Sequence, residues 1–402
     1  MLKGLSPRGY NQATNWRSFV NCAWLWYAWR HADHRTENHD VVQFLRDGQE
    51  GYLYVDKTAY LYHLVTGSDM YFLSHPRRFG KTLTVSTLEA IFQGRRELFK
   101  GLAIDSLDYD WKTCPIIHID FGNCGRNTAE DLEAWLKKAM RQVAASYGIA
   151  VPDLSQHADD VFSDLIDGLS CLGKVVVLID EYDKVLSDNA FSPQVEKLRQ
   201  VLGNFYQVVK TKGALLRFVF ITGVTRYAMV NEFSGLNNLN NISMDPDYAT
   251  MLGYTQEELE GNFAGYIEQG IKDTGMGREA YLAKVREMYD GYRFAPGCET
   301  VYNPVSVGNF FNPEDGGGVR FNDYWIETGS SRLVMDMAGS VDLDVTEDLG
   351  MGMDADGGLR VGAVPSGEEG AGLRAGGGRG DAVVREDGTG HTVQDWKEEV
   401  PA

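Results

Sequence analysis

Disulfide frameworks and membrane spans are features that this sequence lacks. Its five cysteines are scattered and form no Cys-x-x-Cys pair, which excludes a disulfide scaffold and a cysteine-based zinc site. No apolar run approaches the roughly 20 residues that cross a bilayer. The richest run, residues 19–29, is interrupted by Asn21 and has no small-residue cleavage site. These absences predict a cytoplasmic protein without a membrane partner.

Positive charge is also scarce. The chain of 402 residues carries 38 Lys and Arg against 57 Asp and Glu, a net charge of −19. Such a field argues against a general affinity for nucleic acid, although a local basic site stays open. The eight histidines show no metal-ligand spacing, and no Ser, His and Asp set stands in a supporting context. The length suggests roughly two to three domains.

Both ends of the chain have unusual composition. Residues 1–38 concentrate tryptophans before a polar run, which indicates an atypical N-terminal extension, either a docking helix or a poorly ordered segment. A membrane-surface anchor is the alternative, but basic residues are few there. Residues 339–402 are rich in glycine and acids, and Trp396 is their only aromatic residue. So little apolar area predicts a disordered tail.

What the sequence does contain is a candidate phosphate-binding loop, residues 74–82. A short apolar run, 70–73, precedes it and a helix-like run, 83–92, follows it, as in strand, loop, Gly-Lys-Thr and helix. Backbone N–H groups at such a helix start favour anions. Lys81 can reach the β- and γ-phosphates, and the Thr82 hydroxyl can bind Mg²⁺. His75 and Pro76 occupy the place of the usual first glycine.

Two buried strands are predicted to complete this site. One run, residues 174–179, ends in Asp180 and Glu181, and a second, 215–221, ends in Thr222. Open α/β sheets place ligands at such carboxyl ends. We expect Asp180 to hold Mg²⁺ with Thr82, and Glu181 to polarise the attacking water. Thr222 is expected to sense the γ-phosphate or to orient that water.

Three arginines are candidate phosphate contacts. Arg77 and Arg78 either bind phosphates from within the loop or are solvated surface charges, and the missing glycine favours phosphate binding for one of them. Arg226, after the Thr222 strand, is a candidate third phosphate contact. Asp183 and Lys184 are candidates for a local ion pair of little energetic weight.

Strands that alternate with helices indicate an α/β fold with a parallel sheet flanked by helices. We place this P-loop core at residues 39–230 and a smaller helical lid at 231–338. Residues 52–55 are predicted to form a strand, and Thr128 with Asp131 is predicted to start a helix. No internal repeat has a solenoid period.

The ordered motifs resemble those of the bacterial and archaeal AAA-ATPase-like family over about residues 40–335. They are YLYVDKT (52–58), PRRFGKT (76–82), LIDEYDK (178–184), FITGVTR (220–226), FSGLNNL (233–239), GYT (253–255), DGYRF (290–294), YNP (302–304) and YWIETG (324–329). The resemblance implies ATP and Mg²⁺ as ligands, with Arg77, Arg78, Phe79, Gly80 and Lys81 in the phosphate loop. It also makes the absent first glycine a family trait.

The resemblance fails at both ends. Family members usually continue into a PD-(D/E)XK nuclease-like domain, whereas this chain continues into its Gly-rich tail, and residues 1–38 differ from the family's start. A truncated or frame-shifted gene product would explain both. We therefore expect an ATP-binding and ATP-hydrolysing protein. A non-hydrolysing nucleotide-dependent switch or scaffold, and a remnant that has lost its nuclease-like domain, are the alternatives. DNA is a partner by family association only, and self-association stays open.

Overall fold

A computed structural model describes residues 53–67, 70–225, 239–311, 320–322 and 324, and the backbone of four short strands between 351 and 395. The predictions for residues 1–38 and for Arg226 lie outside the described residues. The chain divides into two units, residues 1–364 and 365–402. None of the described helices is long and apolar enough to cross a membrane.

The first unit is built on a five-stranded parallel sheet, which confirms the predicted α/β class. The strand order is β2-β3-β4-β1-β5. Strand β3, which lies between β2 and β4, is buried at every position, as expected for an apolar run covered on both faces. The strands are β1 (Met70–Ser74), β2 (Ile116–Asp120), β3 (Val175–Asp180), β4 (Leu216–Gly223) and β5 (Asn240–Asn241).

Helices cover both faces of this sheet, and each face has its own apolar core. Helices α3, α4 and α6 pack on one face, while α1 and α2 pack on the other. The helices of this part are α1 (Thr58–Thr66), α2 (Lys81–Phe92), α3 (Ala129–Ser146), α4 (Ala158–Ser170), α5 (Lys184–Asp188) and α6 (Val195–Thr211).

The start of α3 follows the sequence prediction. Thr128 is the N-cap, and its hydroxyl accepts a hydrogen bond from the Asp131 backbone N–H at 3.2 Å. This bond satisfies one of the donors that a helix start leaves without a partner.

A C-terminal helical region follows the sheet and has a third apolar core. It comprises α7 (Gln256–Asn262), α8 (Ala264–Thr274), α9 (Arg278–Tyr289) and α10 (Pro304–Phe311). Between α9 and α10 the chain turns back on itself, with Tyr292 bridged to Val301. We call residues 290–302 the 290–302 hairpin. Helices in this range were predicted; their role as a lid stays a prediction.

One local prediction was wrong. Residues 53–55, expected to form a strand with residue 52, have no regular secondary structure. Val55 is buried in the core of the helical region, and Leu53 packs against it. Their apolar side chains therefore fill a helical core instead of pairing with a sheet, a choice that β-propensity alone does not reveal.

Within residues 339–402 the structure describes only short strands. Strand β6 (Met351–Met353) pairs antiparallel with β7 (Leu359–Val361). In the second unit, β8 (Val383–Glu386) pairs antiparallel with β9 (Thr392–Asp395). The rest of this range lies outside the described residues, so the disordered tail stays a prediction.

Candidate functional site

The candidate phosphate loop connects β1 to α2, as its sequence predicts. Ser74 ends the strand and Lys81 begins the helix. Two of three successive residues, Arg78 and Gly80, have left-handed backbones with φ of 73° and 92°. Glycine adopts this conformation without strain, whereas a non-glycine residue there costs energy and often marks a functional site. The loop therefore turns sharply just before the helix start.

Lys81 folds back over this loop. Its ammonium donates to the carbonyl oxygens of His75 at 2.7 Å and Pro76 at 2.8 Å, which occupies two of its three donors. The residue is 6% exposed. Burial lowers the pKa of Lys81 to about 8, against the opposing charges of Asp180, Asp183 and Glu181. The charges of the acidic residues at the end of β3 and just after it therefore act on the loop lysine.

The two carboxylate oxygens of Asp180 differ in their hydrogen bonding. Oδ1 accepts from the Glu181 backbone N–H at 3.0 Å and from the Thr222 hydroxyl. Oδ2 is buried and has no hydrogen-bond partner among the described residues. A buried carboxylate oxygen normally has a partner. A cation would supply one, and Mg²⁺ sites typically combine one or two carboxylates with substrate phosphates. The residues present fit such an ion.

No larger metal cluster exists in the part of the chain that the structure describes, where no three His, Cys, Asp or Glu side chains are arranged to hold an ion. A site at Asp180 would therefore depend on ligands from outside the acidic side chains. Thr82, in the first turn of α2, is exposed to solvent and is the matching hydroxyl of the predicted pair.

Glu181 adopts a left-handed backbone with φ of 52°. Burial raises the pKa of its carboxyl, with further contributions from Asp180 and Asp120 and opposition from Arg77 and Lys81. A carboxylate with a raised pKa accepts a proton more readily near neutral pH. The strained backbone and the raised pKa both occur at the residue that the sequence selects as the water-activating group.

Thr222 is fully buried at the end of β4. The parallel register aligns Ile179 with Ile221 and Leu73 with Thr222, so this strand lies between those of the phosphate loop and of Asp180. The Thr222 hydroxyl donates to Asp180 Oδ1. Its predicted contact with the γ-phosphate is not among these bonds and stays a prediction.

Hydrogen bonds connect the segment after β3 to the segment after β4. The Asp183 carboxylate accepts from the backbone N–H groups of Val224 and Thr225 and from the Thr225 hydroxyl. Asp183 therefore orders the exit of β4. The predicted ion pair with its neighbour was wrong, because Lys184 bonds to Asp188 at 2.6 Å, one helical turn further on.

His75, at the position of the usual first glycine of a phosphate loop, makes an aromatic contact. The His75 ring is stacked on Phe294 of the 290–302 hairpin, and its Nε2 lies 3.1 Å from the Ser243 carbonyl oxygen. Phe79 of the loop contacts Tyr292 and Phe294 edge to face. The phosphate loop is thus anchored to the 290–302 hairpin, whose Phe294 belongs to the apolar core on the α1 and α2 face of the sheet.

Sequence reasoning missed one acidic residue. Asp120 ends β2 directly opposite Asp180, and its Oδ1 accepts from the Gly122 N–H at 2.7 Å. A Cβ at Gly122 would lie 2.8 Å from Asp120 Oδ1 and 3.3 Å from Glu181 Oε2, so the two carboxylates share one narrow space. The rule that selected Asp180, an acid at the carboxyl end of a β-run, also applies to Asp120.

The structure brings Lys81, Asp180, Glu181 and Thr222 together at one edge of the sheet. Arg77 is exposed, yet its charge acts on both Lys81 and Glu181, so it lies beside the same site. Arg78 is half-buried, and Phe79 is buried in the core. Phe79 can therefore offer a ligand only its backbone. A parallel sheet with this loop and these acids defines the class of P-loop nucleotide-binding α/β proteins.

Comparison with known proteins agrees with this class. Residues 40–233 match the family described as AAA-ATPase-like, predicted AAA-ATPase, and this segment belongs to that family. An uncharacterized protein in the vnfD 5′ region of Azotobacter chroococcum mcd 1 is 35% identical over 297 residues, covering 73% of this chain and 54% of the relative. The chain thus spans about half the length of the curated relative that it matches.

Among solved structures, the Aeropyrum pernix ORC2 protein in its ADPNP and ADP complexes is similar at 15% identity and a TM-score of 0.29. The match covers 58% of this chain and 59% of that one. The fold class rests on the strand order and loop geometry described above.

Proposed function

We propose that this protein binds ATP together with Mg²⁺ at the phosphate loop and hydrolyses it. The observation that carries the proposal is the position of Lys81, a buried ammonium held on the loop carbonyls at the same edge of the sheet as Asp180 and Glu181. An ATP γ-phosphate between these groups would receive the third N–H donor of Lys81. The backbone N–H groups at the start of α2 add further donors.

Six further residues have a role in this proposal. Thr82 and Asp180 would hold Mg²⁺, which when bound neutralises charge on the β- and γ-phosphates. Glu181 would accept a hydrogen bond from the attacking water and orient it. Arg77 would add positive charge beside the γ-phosphate, with Arg78 and Arg226 as further candidates. The helical region would act as a lid over the nucleotide.

A nucleotide-dependent switch that hardly hydrolyses ATP is the second candidate. The stacking of His75 on Phe294 favours it, because a change in the phosphate loop would pass directly to the 290–302 hairpin, which connects α9 to α10. Both candidates require nucleotide binding, and they differ in turnover. Self-association and a DNA partner remain compatible with either.

Binding is tested by titrating the full chain with a fluorescent ATP analogue in Mg²⁺. We expect Lys81→Met to weaken binding by about 10–100-fold, since a charge-assisted hydrogen bond contributes roughly 1.5–3 kcal/mol. Lys184→Met, which removes a lysine paired with Asp188, is the matched control and should bind normally. Equal affinity of Lys81→Met and wild type would show that the site is assigned wrongly.

Hydrolysis is tested by phosphate release, with and without DNA. We expect wild type to release phosphate and Glu181→Gln to bind ATP but lose turnover by about 10²-fold or more, the usual contribution of a positioned base. Binding without turnover in wild type would favour the switch. Stimulation by DNA would identify the partner.

A further inference from the structure

The role of Thr222 can be inferred from its hydrogen bond. A threonine hydroxyl has a single proton to donate, and here that proton goes to Asp180 Oδ1. Because the side chain is 0% exposed, its hydroxyl points into the protein toward this carboxylate. The same proton is then not available to a γ-phosphate oxygen, the contact that the sequence suggests.

The consequence lies in the orientation of the carboxylate. Two donors, the Glu181 N–H and the Thr222 hydroxyl, both bind Oδ1. They fix the rotation of the carboxylate group and leave Oδ2 without a partner among the residues that the structure describes. A buried carboxylate oxygen without a hydrogen-bond partner is a natural ligand for a cation.

We propose that Thr222 is a positioning residue, whose hydroxyl fixes the Asp180 carboxylate so that Oδ2 is presented to Mg²⁺. The residue acts through Asp180 and does not touch the nucleotide. This inference rests on the proposed binding of ATP with Mg²⁺. Groups that orient a metal ligand typically change metal affinity by 10–100-fold when removed, so the effect of Thr222 should be measurable in metal linkage.

The experiment measures how strongly Mg²⁺ increases nucleotide affinity. The full chain is titrated with a fluorescent ATP analogue at several Mg²⁺ concentrations and in EDTA. We expect Thr222→Val, which replaces the hydroxyl by a methyl group, to bind the metal-free nucleotide as wild type does. Its gain in affinity on adding Mg²⁺ should be about tenfold smaller. Thr222→Ser, which keeps the hydroxyl, should retain the gain.

Thr225→Val is the matched control. The Thr225 hydroxyl also donates to an aspartate, Asp183 Oδ2, at 2.7 Å. This aspartate is not the proposed metal ligand. Removal of the Thr225 hydroxyl tests the loss of a Thr–Asp hydrogen bond in general. We expect Thr225→Val to lower thermal stability without changing the Mg²⁺ dependence of nucleotide binding.

If Thr222→Val does not fold, Thr222→Ala and Thr222→Ser differ only in the hydroxyl and provide the same comparison. An equal Mg²⁺ gain in wild type and in the variants without the hydroxyl would overturn the positioning role while leaving the proposed function intact. A reduction of the Mg²⁺ gain in Thr225→Val equal to that in Thr222→Val would also overturn the positioning role. A wild type that binds no nucleotide, with or without Mg²⁺, would overturn the proposed function and this inference with it.

Discussion

The His75 imidazole stacks on the Phe294 ring, with centroids 3.7 Å apart and planes 14° from parallel. One ring belongs to the phosphate loop and the other to the 290–302 hairpin of the helical region. The carbonyl of the same histidine accepts from Lys81. The residue that replaces the usual glycine therefore connects the ammonium of the candidate site to the helical region.

Removal of this aromatic contact should affect stability and binding together. We expect Phe294→Ala to lower the free energy of unfolding by about 3 kcal/mol. It should also weaken ATP binding by about tenfold, because the loop loses its preorganisation. Urea unfolding and nucleotide titration measure the two effects.

Phe310→Ala is the control for Phe294→Ala. Phe310 is fully buried in the core of the helical region, where its ring makes tilted contacts with Tyr281, Tyr289 and Phe321. It should destabilise by a similar amount and leave the nucleotide affinity of the folded protein unchanged. An equal loss of affinity in both variants would show that the effect comes from general destabilisation.

The Lys57–Glu258 pair connects the segment before α1 to the helical region. Lys57 Nζ lies 2.6 Å from Glu258 Oε2 and 2.7 Å from the Thr250 carbonyl oxygen, and burial lowers the pKa of Lys57. Glu258 also closes the capping box of α7 with Thr255. Fully buried pairs cost roughly 3–5 kcal/mol when broken. Because Glu258 is 24% exposed, we expect about 2 kcal/mol for Lys57→Met.

The more exposed Lys184–Asp188 pair is the comparison for this measurement. Both pairs are 2.6 Å long, but the Asp188 side chain is 42% exposed. Lys184→Met should change the free energy of unfolding by less than about 1 kcal/mol. Urea unfolding measures the loss of unfolding free energy in Lys57→Met and in Lys184→Met. Equal losses in the two variants would contradict this interpretation.

The His118–Glu89 pair should make stability depend on pH. Burial disfavours the charged imidazole, but the 2.8 Å bond to Glu89 and its charge outweigh burial and raise the pKa of His118 above 6.5. A folded pKa above the unfolded one stabilises the protein fully below about pH 6.5. That contribution is lost as pH rises through the folded pKa. Urea unfolding across pH 5.5–9 measures it.

His118→Gln should remove this contribution. The difference in free energy of unfolding between wild type and variant should be largest at the acidic end of the series and shrink as pH rises. A difference that stays constant, or that grows toward alkaline pH, would contradict the assignment of the charge to this pair.

Two buried tyrosines should respond oppositely to loss of their hydroxyls. The Tyr281 hydroxyl, at the contact of α9 with Gly270, has no hydrogen-bond partner within the described parts of the chain. The Tyr206 hydroxyl donates to the Tyr182 carbonyl at 3.0 Å. We expect Tyr281→Phe to raise the free energy of unfolding by about 1 kcal/mol and Tyr206→Phe to lower it by about 1 kcal/mol. Thermal unfolding measures both changes, and an equal loss of stability in the two variants would contradict the expected difference.

Short-range signals were enough to predict most of the core. The apolar runs before Asp180 and Thr222 form β3 and β4, and Thr128 caps α3 as predicted. The strand predicted at residues 52–55 failed because Val55 is buried against helices. A β-prone run contains no information about which partner will cover it. Asp120 was missed although the same positional rule applied to it.

The sequence by itself determined the order of the elements, the loop, and the acids at the strand ends, because propensity and periodicity are local properties. Only the tertiary structure decided which groups meet. The Thr222 hydroxyl bonds to Asp180, 42 residues earlier in the chain. His75 and Phe294 are much further apart in the sequence, and their rings are nevertheless stacked. Such contacts depend on strand register and on how the helical region packs, and neither is encoded in the spacing of residues along the chain.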